Sequence, residues 1–221
     1  MRMNALFAKA QDPISCHTHA VGAFAALIGG AMMLVRALYT GASVSALAAS
    51  MSFVLSMIAL YSASAVYHFC PGNDAVDSTK RFLRKMDHGM IYILIAGSYT
   101  VIVLSALRPM YPKLAWGLLS FEWGLALMAA TLTAIDLKKY EVFSMICYIG
   151  MGWAIIPFSP QIIDTMGMGG FGYLLAGGIA YTVGSILYGI GSKKRWMHSI
   201  FHIFVVLGSV LQFFAVLFYA L

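Results

Sequence analysis

The chain has 221 residues, of which 61% are hydrophobic and only 10% charged, with a mean hydropathy of +0.84. A soluble domain carries about 25% charged residues. This chain has too little charge to cover a water-facing surface, so its solvent is largely lipid. The net charge of +6 does not point to nucleic acid, because the basic residues sit in short gaps between apolar runs, a pattern that orients membrane proteins.

Lipid narrows the architecture to helices or a closed barrel, since every backbone polar group must be paired internally. The apolar runs are long and do not alternate with period 2, which predicts helices. In chain order the expected spans are Ala20–Leu38, Ala46–Cys70, Met90–Leu107, Leu114–Ile135, Val142–Phe158, Phe171–Ile190 and Met197–Leu221. Each is about 17–25 residues, enough to cross a hydrocarbon core of about 30 Å at 1.5 Å per residue. Turn signals separate them: Pro71-Gly72-Asn73-Asp74 after the second, Arg108-Pro109 after the third and Ser159-Pro160 after the fifth. The first segment follows Arg2 and Lys9, as a signal peptide would, but it is long for one and His17 and His19 interrupt its start, so it is read as a retained span. The expectation is a single all-α, seven-helix transmembrane domain over residues 1–221. Small-residue pairs such as Gly29-Gly30 and Gly177-Gly178 are expected where helices pack closely.

Seven spans place the N-terminus and the loops after spans two, four and six on one side. That side carries eleven Lys and Arg (Arg2, Lys9, Lys80, Arg81, Arg84, Lys85, Lys138, Lys139, Lys193, Lys194 and Arg195), against Arg36, Arg108 and Lys113 on the other. The asymmetry predicts a cytoplasmic N-terminus and an outside C-terminus in a multi-pass protein of the plasma membrane. Cys16, Cys70 and Cys147 then lie in the cytoplasmic half, where thiols stay reduced, and no disulfide is expected.

With that orientation the histidines fall at one depth. His198 and His202 open the seventh span at spacing i, i+4, on one helical face about 6 Å apart along the axis. His68 closes the second span, Asp87 and His88 open the third, and His17 and His19 open the first. Imidazoles at the edge of an apolar bundle are costly unless paired or coordinating. Three of them with one open position match a catalytic zinc sphere completed by water, and zinc brings the pKa of such a water to about 7. Asp87 then stands to hold or deprotonate the water. Ser64, one turn deeper than His68 on the same face, stands to donate a hydrogen bond to it or to a developing oxyanion.

Plainer readings stand beside these. The histidines can be interhelical hydrogen-bonding groups without metal. Asp87 can be an interfacial ion pair with Arg84 or Lys85, and Ser64 can bond back to the carbonyl of Leu60. His88 is read as a structural donor, and His17 and His19 as helix-start groups or supports behind the ligands. Cys16 and Cys70 are soft alternatives to a ligand, although cysteine at a helix end is most often simply packed. Glu122 interrupts the fourth span nearer its outer end, too far from the histidines to be a ligand. It is expected to be protonated and hydrogen-bonded.

Three motifs carry a family resemblance: Ser64-Ala65-Val66-Tyr67-His68, Asp87-His88 ahead of Ile91–Thr100, and His198-Ser199-Ile200-Phe201-His202. Together, over essentially the whole chain, they resemble the bacterial hemolysin III family, kin to the adiponectin and progestin receptors and more distantly to alkaline ceramidases. The start Ser15-Cys16-His17-Thr18-His19-Ala20-Val21-Gly22 is similar too, with Ala20 where that family usually has glycine. The resemblance implies a seven-helix fold with its N-terminus inside and zinc on His68, His198 and His202, with Asp87 and Ser64 beside it. It also implies a hydrolase-like site acting on membrane lipids, amide bonds included, and a role in membrane-lipid homeostasis. The alternatives are a non-enzymatic membrane sensor with a structural zinc and a pore-forming haemolysin. A pore is physically weak, because a chain this apolar offers no soluble form to insert and shows no amphipathic lumen-lining segment. Membrane lipids are the expected partners. No nucleic acid or soluble protein partner is indicated, and the sequence leaves the oligomeric state open.

Overall fold

The structure is a computed structural model that describes residues 2–72, 76–191 and 196–221, with side chains described for 13–72, 76–189 and 196–221. Asn73, Asp74, Lys193, Lys194 and Arg195, and the side chains of Arg2 and Lys9, lie outside the described residues. The described residues form helices and no strands. These are α1 (Arg2–Thr40), α2 (Val44–Phe69), α3 (Ser78–Val101), α4 (Pro112–Ile135), α5 (Glu141–Trp153), α6 (Ser159–Gly191) and α7 (Met197–Tyr219). Six helical stretches among them are long and apolar enough to cross a membrane, the longest being Glu141–Gly189 with 49 residues. Together they mark a multi-pass integral membrane protein.

Local chemistry explains the ends. The Ser43 side chain accepts from the Ala46 N–H at the start of α2, and Asp77 accepts from the Thr79 and Lys80 N–H groups at the start of α3, each satisfying donors that a helix N-terminus leaves bare. Helix α2 stops where Cys70 turns extended ahead of Pro71, because the residue before proline is pushed out of the helical region. Pro112 opens α4, a position where its missing N–H costs nothing. Helix α3 begins well before the expected Met90, and its axis continues through a π-helical segment, Ile102–Leu107, to a last turn at Arg108–Met110. The early start puts Asp87 and His88 within the helix rather than at its mouth. Helix α1 likewise begins ahead of the expected Ala20, with Pro13 inside it.

The 49-residue stretch is not one rod. A 3-10 turn, Ile156–Phe158, separates α5 from α6, and Gly167 breaks the helical backbone within α6 at φ 68°, ψ 171°, a left-handed φ that favours glycine.

Helix α7 packs most extensively on α6, α1 on α2, and α2 on α3, while α1 also reaches α7. Of the small-residue pairs, Gly29, Gly30 and Gly177 sit at close contacts. A Cβ on Gly177 would meet the Gln212 Cγ at 3.0 Å and the Gly208 carbonyl at 3.1 Å, and one on Gly30 would meet the Val54 Cγ1 at 2.8 Å. The large outward side chains of α1, among them Val21, Phe24, Val35 and Leu38, are exposed, as a lipid-facing surface requires. The core instead buries Phe53, Met57, Tyr61, Val103 and Val216.

Candidate metal centre

His68, from the last turn of α2, meets His198 and His202, from the first two turns of α7. Their ligand nitrogens all lie within 4.8 Å of one another. His198 Nε2 is 3.4 Å from His68 Nε2 and 3.1 Å from His202 Nε2. A tetrahedral zinc with spokes of 2.0–2.1 Å sets neighbouring ligand atoms about 3.3 Å apart. Two of the three nitrogen pairs are therefore spaced as ligands of one small ion would be, and the third lies within 4.8 Å. Three converging Nε2 atoms also form a poor hydrogen-bonding ring, since a neutral imidazole has only one N–H to give. The donor set fits a metal: all nitrogen, no cysteine, and His68 and His202 buried.

Helix α1 supports this group from behind. His202 turns Nε2 to the cluster and Nδ1 to His19, 3.1 Å away. With Nε2 given to a metal, the Nδ1–H of His202 donates to the His19 ring, which fixes tautomer and orientation. His19 is almost fully buried and its ring packs edge-on to Tyr61. Ser15, one turn earlier, meets Ser199 side chain to side chain at 3.3 Å. His19 thus takes the supporting position expected of it, whereas His17 is exposed and outside the cluster.

Lys80 is a residue that the sequence reading missed. Its buried Nζ donates to the carbonyls of Tyr67 and, at 2.7 Å, Cys70, and lies over the Tyr67 ring. Those carbonyls flank His68 at the C-terminus of α2, where carbonyls lack helical partners and a cation is favoured. In the sequence Lys80 counted only as one more orienting charge.

Ser64 is fully buried, and its Oγ has no hydrogen-bond partner among the described residues. The expected alternative, a bond back to the Leu60 carbonyl, is not made. A buried hydroxyl left bare one turn from His68 has its hydrogen-bonding capacity free for a ligand. Asp87 and His198 line one cavity of about 110 Å³ between α3, α5, α6 and α7. The Asp87 Oδ2 is 3.7 Å from the His88 Nδ1. Lys85, a candidate partner for Asp87, instead donates its Nζ to the Ala134 carbonyl at 2.6 Å. His88 is a structural link, as expected: Nδ1 donates to the Arg84 carbonyl at 2.9 Å and Nε2 takes the Tyr188 hydroxyl at 3.2 Å.

Glu122 departs from expectation. It is fully buried on α4, but neither carboxyl oxygen has a hydrogen-bond partner among the described residues. The groups around it are engaged elsewhere: the Trp123 Nε1 donates to Thr100 at 2.9 Å and the Tyr99 hydroxyl to the Met151 carbonyl at 2.8 Å.

Comparison with known proteins agrees with these motifs. The family model described as Haemolysin-III related matches residues 7–213. The chain is 35% identical over 204 residues to Hemolysin-3 of Bacillus cereus, covering 92% of this chain and 89% of that one. It is 32% identical over 214 residues to the Hemolysin-3 homolog of Bacillus subtilis, covering 97% and 96%. It is also 26% identical over 212 residues to the human Monocyte to macrophage differentiation factor, covering 91% and 81%. The match spans every element that brings a residue to the histidine cluster, and the chain belongs to the Haemolysin-III related family.

Proposed function

We propose that this protein is a zinc-dependent hydrolase of membrane lipids in the plasma membrane, with seven crossings, a cytoplasmic N-terminus and its histidine layer at the cytoplasmic face. The observation that carries the reading is the convergence of His68, His198 and His202, with the His198 Nε2 at 3.4 Å from His68 and 3.1 Å from His202, beside a cavity that also reaches Asp87.

Length supports the reading of seven crossings. The stretch Glu141–Gly189 has 49 residues, about 73 Å as one helix and more than twice a hydrocarbon core of about 30 Å. The breaks at Ile156–Phe158 and Gly167 allow it to double back as two spans. Lys and Arg asymmetry then orients the bundle.

His68, His198 and His202 would hold the zinc, which supplies a water acidic enough to ionise near neutral pH. Asp87 would orient the attacking water and accept its proton. Ser64 donates its free hydroxyl hydrogen to the oxygen on which charge develops. His19 keeps His202 in the tautomer that presents Nε2, and Lys80 holds the end of α2 that carries His68. The apolar cavity wall, with Leu94, Ile95, Ile149 and Val205, suits an acyl chain, so the substrate class is a membrane lipid and the bond an ester or amide, with amide the preferred reading.

A structural zinc in a membrane sensor is the second reading. It is favoured by the direct ties of α1 to α7 through His19–His202 and Ser15–Ser199, which make the cluster a clasp of three helices. The relatives' name raises a pore as well, but the cavity wall is mostly apolar, unlike an ion-conducting lumen.

The deciding experiment is metal analysis of purified protein together with mass spectrometry of ceramides, N-acyl lipids and phospholipids incubated with it, with and without chelator. About one zinc per chain and a chelator-sensitive product are expected. Zinc without any product favours the clasp, and absence of zinc ends both readings.

A further inference from the structure

Three neighbouring helices each repeat a polar group seven residues from the histidine layer. Tyr61 precedes His68 by seven on α2, Tyr181 precedes Tyr188 by seven on α6, and Ser209 follows His202 by seven on α7. Tyr188 belongs to the upper layer, its ring centroid 5.9 Å from that of His198. Seven residues are two helical turns, about 10 Å, and in each case the step leads away from the histidine end into the bundle. The second groups meet as the first do. The Tyr181 hydroxyl and the Ser209 Oγ are 2.7 Å apart, and the Tyr61 hydroxyl lies beside both without completing a hydrogen bond. One turn further along α7, Gln212 reaches the same cavity as Tyr181, and its buried Oε1 has no partner among the described residues.

Most other polar groups on that wall are already satisfied by the protein. Ser98 bonds to the Ile95 carbonyl, Tyr99 to the Met151 carbonyl, Trp153 to Thr182, Thr182 to the Gly178 carbonyl and Tyr148 to the His88 carbonyl. Buried polar groups in lipid are costly when bare, so the Gln212 Oε1, without a partner among the described residues, marks where something else supplies one, next to a Tyr181 hydroxyl that its single bond to Ser209 leaves able to make another. The Gln212 Oε1 only accepts, and a tyrosine hydroxyl both donates and accepts. The matching ligand group therefore donates and accepts too. It is also neutral, because the titratable residues on the cavity wall other than tyrosine are Asp87, His88 and His198, all at the histidine end.

We propose that the deep end of this cavity is a binding subsite for a hydroxyl carried mid-chain on a lipid, held by Gln212 and Tyr181 with Tyr61 and Ser209 behind them, about two helical turns below the histidines. The apolar wall on either side takes the chain, and the polar shelf selects chains by the position of the hydroxyl. The subsite concerns binding alone and rests neither on turnover nor on the metal.

The test measures binding of three probes to the full chain in lipid nanodiscs: stearic acid, stearic acid hydroxylated at mid-chain, and stearic acid hydroxylated next to its carboxyl group. Two neutral hydrogen bonds are expected to give the mid-chain hydroxyl a preference of about 10-fold, with no gain for the hydroxyl beside the carboxyl. Gln212→Leu and the more conservative Tyr181→Phe should each bring that preference near to one while plain stearic acid still binds. Equal binding of plain and mid-chain probes by the unaltered protein, binding of neither, or a preference that survives both substitutions would overturn the subsite, and the shelf would hold water only. Repeating the measurement with chelator separates the two proposals. A protein that cleaves no lipid but keeps the preference loses the hydrolase reading and keeps this one.

Discussion

Two sets of ionisable groups are buried in this bundle, and they differ in company. His68, His198 and His202 come from two helices, converge on one point, and are backed by His19, Ser15 and Lys80. Glu122 is as deeply buried, but among the described residues both its oxygens are bare and its neighbours are bonded to other groups. Burial of a charged residue type in lipid marks a candidate. Convergence with orienting partners distinguishes a site from a solitary costly group, because a ligand needs several donors aimed at one volume.

The sharpest way to break the comparison is to remove a member of the converging set. His202→Ala should abolish zinc content, measured by elemental analysis, and lower the thermal midpoint, since metal binding is coupled to holding the helices together. Retention of stoichiometric zinc would show that the three nitrogens are not the ligands.

Asp87→Asn should keep zinc and the fold but lose about 10²–10⁴-fold in lipid hydrolysis, and Ser64→Ala should keep zinc and lose about 10²-fold. Single-turnover assays against the chelator-sensitive product would measure both. Unchanged rates in Asp87→Asn would remove the role given to that carboxylate, even in a working enzyme.

A smaller effect is expected at the support. Lys80→Met keeps most of the side-chain length but frees the carbonyls of Tyr67 and Cys70. Zinc affinity should fall several-fold, read by competition with a chelating dye, less than the about 10–100-fold typical for loss of a group bonded directly to a ligand, because Lys80 holds the backbone beside His68 and not its imidazole. An unaltered affinity would make Lys80 an orienting charge and nothing more.

The smallest effect belongs to the solitary group. Glu122→Gln removes the chance of a buried charge, keeps the shape and touches no ligand. Zinc content and hydrolysis should stay unchanged, with stability, followed by thermal unfolding in detergent, the same or slightly raised. A loss of activity would show that Glu122 works with the histidines and is not a solitary group.

Much of the site was legible from residue types and spacing. His198 and His202 had to share a face because i and i+4 always do on a helix. Counting the apolar runs as alternating spans led to the expectation that His68 and Asp87 share the depth of that pair, but it left their lateral position open. Ser64 was legible in position but not in state. Whether its hydroxyl returns to Leu60 or stays free depends on a rotamer and on packing that no spacing encodes. Lys80 was illegible, because a lysine between two spans looks the same whether it faces water or turns inward onto the end of α2.

Periodicity and composition by themselves determined that this chain is helical and lies in lipid, and that His198 and His202 share a helical face, because those properties depend on residues close in sequence. Tertiary structure alone decided that His19 backs His202, that Glu122 has no partner among the described residues, and that Tyr61, Tyr181, Ser209 and Gln212 gather on one shelf. Each of those facts depends on how helices rotate and approach one another. That is set by contacts between residues such as Gly177 and Gly208 on different helices, and no local pattern carries it.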